Sequence, residues 1–229
     1  MSILFLKSSA KTLLLSLMLF TCYSPLTHAE AADPEPLAII KNIVSSILET
    51  MKQQRQEIMA DPQTLYQITD QHLVPHVDIT TMSRLVLAQH WRAANDAHRQ
   101  RFATEFLLLL QRFYVNALME NPQNIDAILN AADSLISYKP LQIQEDSRDL
   151  TIRADVKLPS GMIVPVGFSM LRDKAGVWKI YDVVVEGGSL IINYRASFGS
   201  EIQRDGLEAT LKRMQATNVE LLQKQAQLQ

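Results

Sequence analysis

The chain has 229 residues, with 22 Lys and Arg against 24 Asp and Glu and a formal net charge of −2 at pH 7. That balance excludes the concentrated basic surface a nucleic-acid binder needs, and the single cysteine, Cys22, excludes an internal disulfide framework. With 47% hydrophobic residues the chain can bury a sizeable core.

The first segment reads as a secretion signal. Lys7 and Lys11 supply a positive n-region, and residues 13–20 form an apolar stretch too short to span a bilayer as a helix. Thr27-His28-Ala29 fits a cleavage site, with Glu30 as the first mature residue. An uncleaved anchor and a lipoprotein are the competing readings. The short apolar run opposes the first, and Thr21, standing before Cys22 where a lipobox carries Gly, Ala or Ser, opposes the second. Removing residues 1–29 takes Lys7, Lys11 and Cys22 and no acid, so the net charge moves to −4 and no thiol chemistry remains. Residues 30–229 must then be stable on packing alone, as one domain. Residues 107–110 are a short apolar run bracketed by Glu105, Gln111 and Arg112, which is no membrane-span candidate. The mature protein is expected to be soluble and, in a Gram-negative host, periplasmic.

Helices come first. Pro34 and Pro36 open a helix over residues 37–57, where Ile40, Val44, Ile47, Leu48 and Met51 recur at helical spacing. Asp61-Pro62 starts a second helix and Pro75 ends it. Asp78, or else Thr80 or Thr81, caps a third over 79–88. Asn95 or Asp96 caps the longest, which runs to 119 with Phe102, Phe106, Leu109 or Leu110, Phe113 and Ala117 as its apolar stripe. Asn121-Pro122 stops it, and a short helix over 125–132 follows.

Strands come next. Residues 134–144 hold a weak one. In 150–158, Leu150, Ile152, Ala154, Val156 and Leu158 alternate with polar residues; Pro159-Ser160-Gly161 turns; and 162–171 puts Val164, Val166, Phe168 and Met170 on one face. Asp173-Lys174-Ala175-Gly176 turns into residues 177–198, the most informative run. There Trp178, Ile180, Asp182 and Val184 share one face of a strand, Glu186-Gly187-Gly188-Ser189 breaks it, and residues 190–194 resume it. A last helix spans 200–225. The reading is α+β: a helical N-terminal half packed on an antiparallel meander of four to five strands, with a long C-terminal helix.

The blocks VWKIYDVVVEG and SLIINYR, in this order and spacing, resemble the C-terminal signature of the MlaC family, also called the toluene-tolerance Ttg2 auxiliary family. His90-Trp91-Arg92, Arg99-Gln100-Arg101-Phe102, Phe106, Leu110 and Tyr114 extend the likeness over residues 36–214. Two departures stand out: Ala88 and Gln89 lie where the family commonly has a Gly, and Gly188 where it tends to have a branched apolar residue. The resemblance implies a curved, NTF2-like sheet enclosing a deep apolar cavity. It also implies a periplasmic carrier of phospholipid between the outer and inner membranes, maintaining outer-membrane lipid asymmetry. The implied partners are phospholipid, an outer-membrane lipoprotein–porin complex, and an inner-membrane ABC transporter complex with a lipid-binding hexamer. No cofactor is implied.

A two-chain lipid carries about 30 methylenes, whose exposure to water costs about 20 kcal/mol or more. Such a cargo needs an apolar pocket, and the sheet and the helix carrying Phe102 and Tyr114 are its natural walls. Phe106, Leu110, Tyr114, Val166, Phe168, Ile180 and Val184 are the expected lining residues, though each also suits a plain core position. Tyr194 and Arg195 are candidates for the mouth, where a guanidinium can pair a phosphate with two hydrogen bonds; a salt bridge from Arg195 to Asp182 or Glu186 is the alternative. Arg92 and Arg99 suit either a docking surface or a solvated face.

Rival chemistries are weak. His72, His76 and Asp78 resemble a metal trio, but Pro75 interrupts the helical spacing. Asp182 or Tyr181 in an apolar pocket could serve an NTF2-like isomerase, against which stands a satisfied structural acid. A binding or chaperone-like module for another apolar ligand is the remaining alternative. No nucleophile elbow, phosphate loop or paired-carboxylate motif occurs, and no enzyme is expected.

Overall fold

The protein is described by a computed structural model covering residues 34–226 except Pro122, Glu145 and Pro159; the signal and cleavage site read at residues 1–29 lie outside the described residues. Helix α1 (Glu35–Gln53) buries Leu37, Ile40, Ile43 and Met51. The helix expected over 37–57 is in fact two. Gln54 leaves helical geometry, and a short α2 (Arg55–Ala60) restarts, which aims the Arg55 guanidinium at Asp126, Nη2 to Oδ2 2.6 Å. Helix α3 (Gln63–His72) follows Pro62, and a one-turn 3-10 helix carries Pro75. Asp78 proves to be the cap of α4 (Ile79–Leu87), accepting from Thr81 N at 2.9 Å. A short α5 (Gln89–Ala93), unforeseen from periodicity, is reached through Ala88 at φ +49°, ψ −115°. Asn95 caps α6 (Asp96–Met119) by accepting from His98 N at 2.8 Å, and α7 (Gln123–Asn130) bears Asp126.

Strands β1 (Ile136–Tyr138), β2 (Asp149–Lys157), β3 (Ile163–Arg172), β4 (Trp178–Val185) and β5 (Gly188–Ser189) form one antiparallel sheet in that order. The α+β expectation therefore holds, with five strands among the described residues.

The C-terminal third departs from expectation. Residues 190–194 are not a strand but the first turns of α8 (Leu190–Asp205), and the helix read over 200–225 is the end of α8 plus α9 (Leu207–Ala226). Gly206, at φ +84°, supplies the left-handed residue that ends α8. At the start of α8 the Ser189 hydroxyl accepts from Ile192 N at 3.1 Å and the Asp182 carboxylate from Ile191 N at 3.0 Å. These bonds satisfy N–H groups a helix start leaves open, and they outweigh the strand preference of Ile191-Ile192.

Apolar side chains gather in three cores. Phe102, Phe106, Phe198 and Leu211 anchor one between α4, α6, α8 and α9. Ile152, Met170, Trp178 and Ile180 pack one sheet face against Leu37, Ile40 and Ile43 of α1. Ile58, Leu65, Ile68, Val115 and Ile125 join α2, α3, α6 and α7. Half-buried Leu110, Phe168, Val183, Leu190 and Tyr194 fringe the first two.

Candidate functional site

Strand β4 ends in a two-residue turn. Glu186 (φ +50°) and Gly187 (φ +82°) both take left-handed backbone, the geometry that suits the twist of a tight hairpin. The chain returns as β5, with Val185 opposite Gly188 and Val184 opposite Ser189, and enters α8 at once. Asp182, buried near the end of β4, ties this unit together. Its Oδ2 accepts from Ser189 Oγ at 2.6 Å and its Oδ1 from Ile191 N at 3.0 Å.

Between this unit and α6 lies a cavity of about 310 Å³. It is lined by Tyr114 from α6, Val183 and Val185 from β4, Gly188 from β5, and Leu190, Asn193 and Tyr194 from α8. None of these side chains carries a charge. Tyr114 is 53% exposed and Val185 45%, and Phe113, at 52%, sets its ring edge-on 5.3 Å from that of Tyr114. Burial pushes the Tyr114 phenol up, and burial with the neighbouring Tyr114 does the same for Tyr194, so both remain neutral hydroxyls at physiological pH.

A bulge decides which β4 residues face this cavity. Ser169 pairs with Asp182 but Met170 with Ile180, which leaves Tyr181 as an extra residue. Past the bulge the alternation changes phase: Val183 stands opposite Phe168 and Val185 opposite Val166, while Val184 stands opposite Gly167. The face expected to carry Trp178, Ile180, Asp182 and Val184 together is therefore split. The register sets Val184 on the opposite side of the sheet from Phe168, and Val184 lines a groove of about 410 Å³ with Thr151, Arg153 and Gly167, to which Val166 also contributes. Tyr181 donates its hydroxyl to the Asp149 carboxylate at 3.0 Å, and burial first, then that carboxylate, push its phenol up to about 12.

Of the other expected lining residues, Phe106 is fully buried, 5.7 Å from the ring of Phe102 and 5.1 Å from that of Tyr194, and Ile180 is buried in the sheet core. Leu110 is half-buried against the helical core, and Phe168 and Val166 share the face of Val183 and Val185. Tyr114 and Tyr194 line the cavity itself. Arg195 does not. Its Nε donates to the Leu85 carbonyl at 2.7 Å, capping the end of α4 rather than pairing with Asp182 or Glu186.

Arg99 is occupied locally, over the Trp91 ring at 5.3 Å, donating to the Trp91 carbonyl and paired with Asp96. His72 Nε2 lies 3.1 Å from Thr50 Oγ1, and Asp78 is taken up as a cap. Among the described residues no three His, Cys, Asp or Glu side chains gather as a metal site would require. Val183, Val185, Leu190 and Asn193 were not expected at the site. The Ser189 cap and the helical spacing of Ile191, Phe198 and Ile202 were the signals for the α8 residues.

Residues 41–216 match the family model described as MlaC protein. The chain is 26% identical over 184 residues to the toluene tolerance protein ttg2D of Pseudomonas putida, covering 80% of this chain and 79% of the relative. It is 21% identical over 191 residues to the intermembrane phospholipid transport system binding protein MlaC of Haemophilus influenzae, covering 82% and 85%. Its fold is similar to that of the phospholipid-binding protein from Ralstonia solanacearum, solved in complex with a phospholipid. The TM-score is 0.69 at 25% identity, over 81% of this chain and 97% of that one.

Proposed function

The chain belongs to the MlaC family, and from that premise we propose that it is a soluble periplasmic phospholipid carrier, secreted by a cleavable signal over residues 1–29. It would shuttle lipid between an outer-membrane lipoprotein–porin complex and an inner-membrane ABC transporter complex with its lipid-binding hexamer. The observation that carries this reading is the uncharged cavity between Tyr114, Val183, Val185, Leu190 and Tyr194, in a chain whose fold is similar to that of a protein solved with a phospholipid. Val183, Val185 and Leu190 would shield acyl chains, while the open side would leave a charged headgroup in water and avoid the cost of burying it.

At about 310 Å³ the cavity lies at the low end of the ~300–1,000 Å³ typical for small-molecule sites, and two acyl chains need more. Loading therefore requires the walls to part. Leu110 and Leu190 fringe the core between the helices and Phe168 and Val183 the sheet core, so parting these half-buried side chains would leave the fully buried residues of both cores in place. The function needs no chemistry. Asp182 has a structural use, holding Ser189 Oγ and Ile191 N at the start of α8.

Native mass spectrometry, with solvent extraction, of the mature protein purified without detergent tests the reading. One phospholipid per chain, released to acceptor vesicles, is the expected result. An empty protein that takes no lipid from vesicles would overturn it in favour of a module for another apolar ligand.

A further inference from the structure

The cavity between α6, β4 and α8 is lined by three polar side chains that carry no charge: the phenols of Tyr114 and Tyr194 and the amide of Asn193. Among the described residues none of the three makes a side-chain hydrogen bond. Tyr181 of β4, by contrast, spends its hydroxyl on the Asp149 carboxylate at 3.0 Å. Packing alone fixes the Tyr194 ring, edge-on to Phe106 at 5.1 Å and stacked on Phe198 at 5.8 Å. Its hydroxyl is therefore held in place without a bond of its own. Tyr114 is placed by its edge-on contact with Phe113, and the two phenols lie near enough for the charge of one to be felt by the other. Val183, Val185 and Leu190, the remaining large walls, offer no polar side-chain atom. The site is a small group of neutral donors set among apolar walls, with no cation to pair an anion.

A lipid entering tails first brings two kinds of acceptor. The phosphate is charged, and an uncharged cavity leaves it at the open side, in water. The ester carbonyls sit at the head of the acyl chains and leave water with them; they accept hydrogen bonds and donate none. We propose that Tyr114, Tyr194 and Asn193 donate to these carbonyls, so that the site selects chains joined as esters over chains joined as ethers. The proposal rests on the reading of the cavity as a lipid site and names the part of the lipid held there by hydrogen bonds. An acceptor taken out of water without a partner is costly, and neutral donors supply that partner without desolvating an ion. An ether oxygen is a weaker acceptor and has less to lose when the donors are removed.

The test is a cycle between protein and lipid. Delipidated wild type, Tyr114→Phe, Tyr194→Phe and the double variant are loaded from vesicles of dioleoyl phosphatidylcholine or of its dioleyl ether counterpart, which share headgroup, chain length and double bonds. Phenylalanine keeps each ring and removes only the hydroxyl. The stability of each lipid in its own vesicle is common to every protein and cancels in the comparison. The ester-to-ether affinity ratio should be about tenfold higher for wild type than for the double variant, with the single variants between. An unchanged ratio overturns the proposal. Should the ratio hold while both lipids bind more weakly, the hydroxyls act on the phosphate that both carry, which overturns the ester assignment equally. Should the double variant fail to melt cooperatively, Tyr114→Phe, on a half-exposed ring, carries the same test through a change of about threefold in the ratio. A wild type that takes up neither lipid removes the lipid reading itself, an outcome distinct from an unchanged ratio.

Discussion

Helix α6 passes through two regions built from the same kinds of residue and finished differently. In its first half Phe102 and Phe106 are fully buried, and Phe198 meets both rings edge-on at 5.4 and 6.1 Å. In its second half Phe113 and Tyr114 are half exposed beside an open cavity. The buried rings of the first half pack the helical core, and the proposed function gives the open rings of the second half a use.

The largest effect that would sharpen this contrast comes from Phe106→Ala, which should lower unfolding free energy by about 3–5 kcal/mol in urea denaturation. Tyr114→Ala should change stability by about 0.5 kcal/mol or less while lowering bound phospholipid. Equal stability losses at both sites would erase the distinction. Next is Asp182→Ala, which strands the Ser189 hydroxyl and the Ile191 N–H at a joint between the regions. It should cost about 1.5–3 kcal/mol in the same assay, and Asp182→Asn, which keeps an acceptor for Ile191 N, should cost less.

A third pair tests the bulge. Val185→Asp should lower lipid occupancy, whereas Val184→Asp, on the other face of the sheet, should leave it near wild type; the reverse result would put the wrong residues at the mouth. Smallest is Ala88→Gly. At φ +49° and ψ −115° an alanine is strained, so glycine should raise stability by about 1 kcal/mol with occupancy unchanged.

Much of the first region was legible in the sequence. Asp78 and Asn95 stood among the cap candidates because a carboxylate or amide just before an apolar period favours a helix start, and the structure selects them over Thr80, Thr81 and Asp96. Leu150, Ile152 and Ala154 alternate cleanly because nothing interrupts their strand. The mouth was harder to read for two physical reasons. Val183, Val184 and Val185 suit either face of a strand, so one extra residue at Tyr181 reverses their orientation without altering the pattern. Leu190 to Tyr194 contain two isoleucines and a tyrosine, which read as strand until Ser189 and Asp182 are seen to cap a helix. Both features depend on contacts between a strand and the helix after it, which local periodicity does not register. Gly206 was passed over because it sits between two stretches of the same helical spacing.

The hairpin turn at Glu186 and Gly187 has a kinetic consequence. Two walls of the cavity, from Val183 to Tyr194, are neighbours along the chain, so bringing them together closes a loop of about ten residues, an event of about 10–100 ns. The α6–α9 contacts tie residues more than a hundred positions apart, as Arg101 to Glu208 and Asn218 to Glu105 do, and such pairings bear the loop-closure entropy that slows folding. The strand–turn–helix unit should therefore take shape early, before the long-range helices dock around it. Substitutions within those few residues can then reshape the cavity while the slow assembly of the scaffold proceeds unchanged.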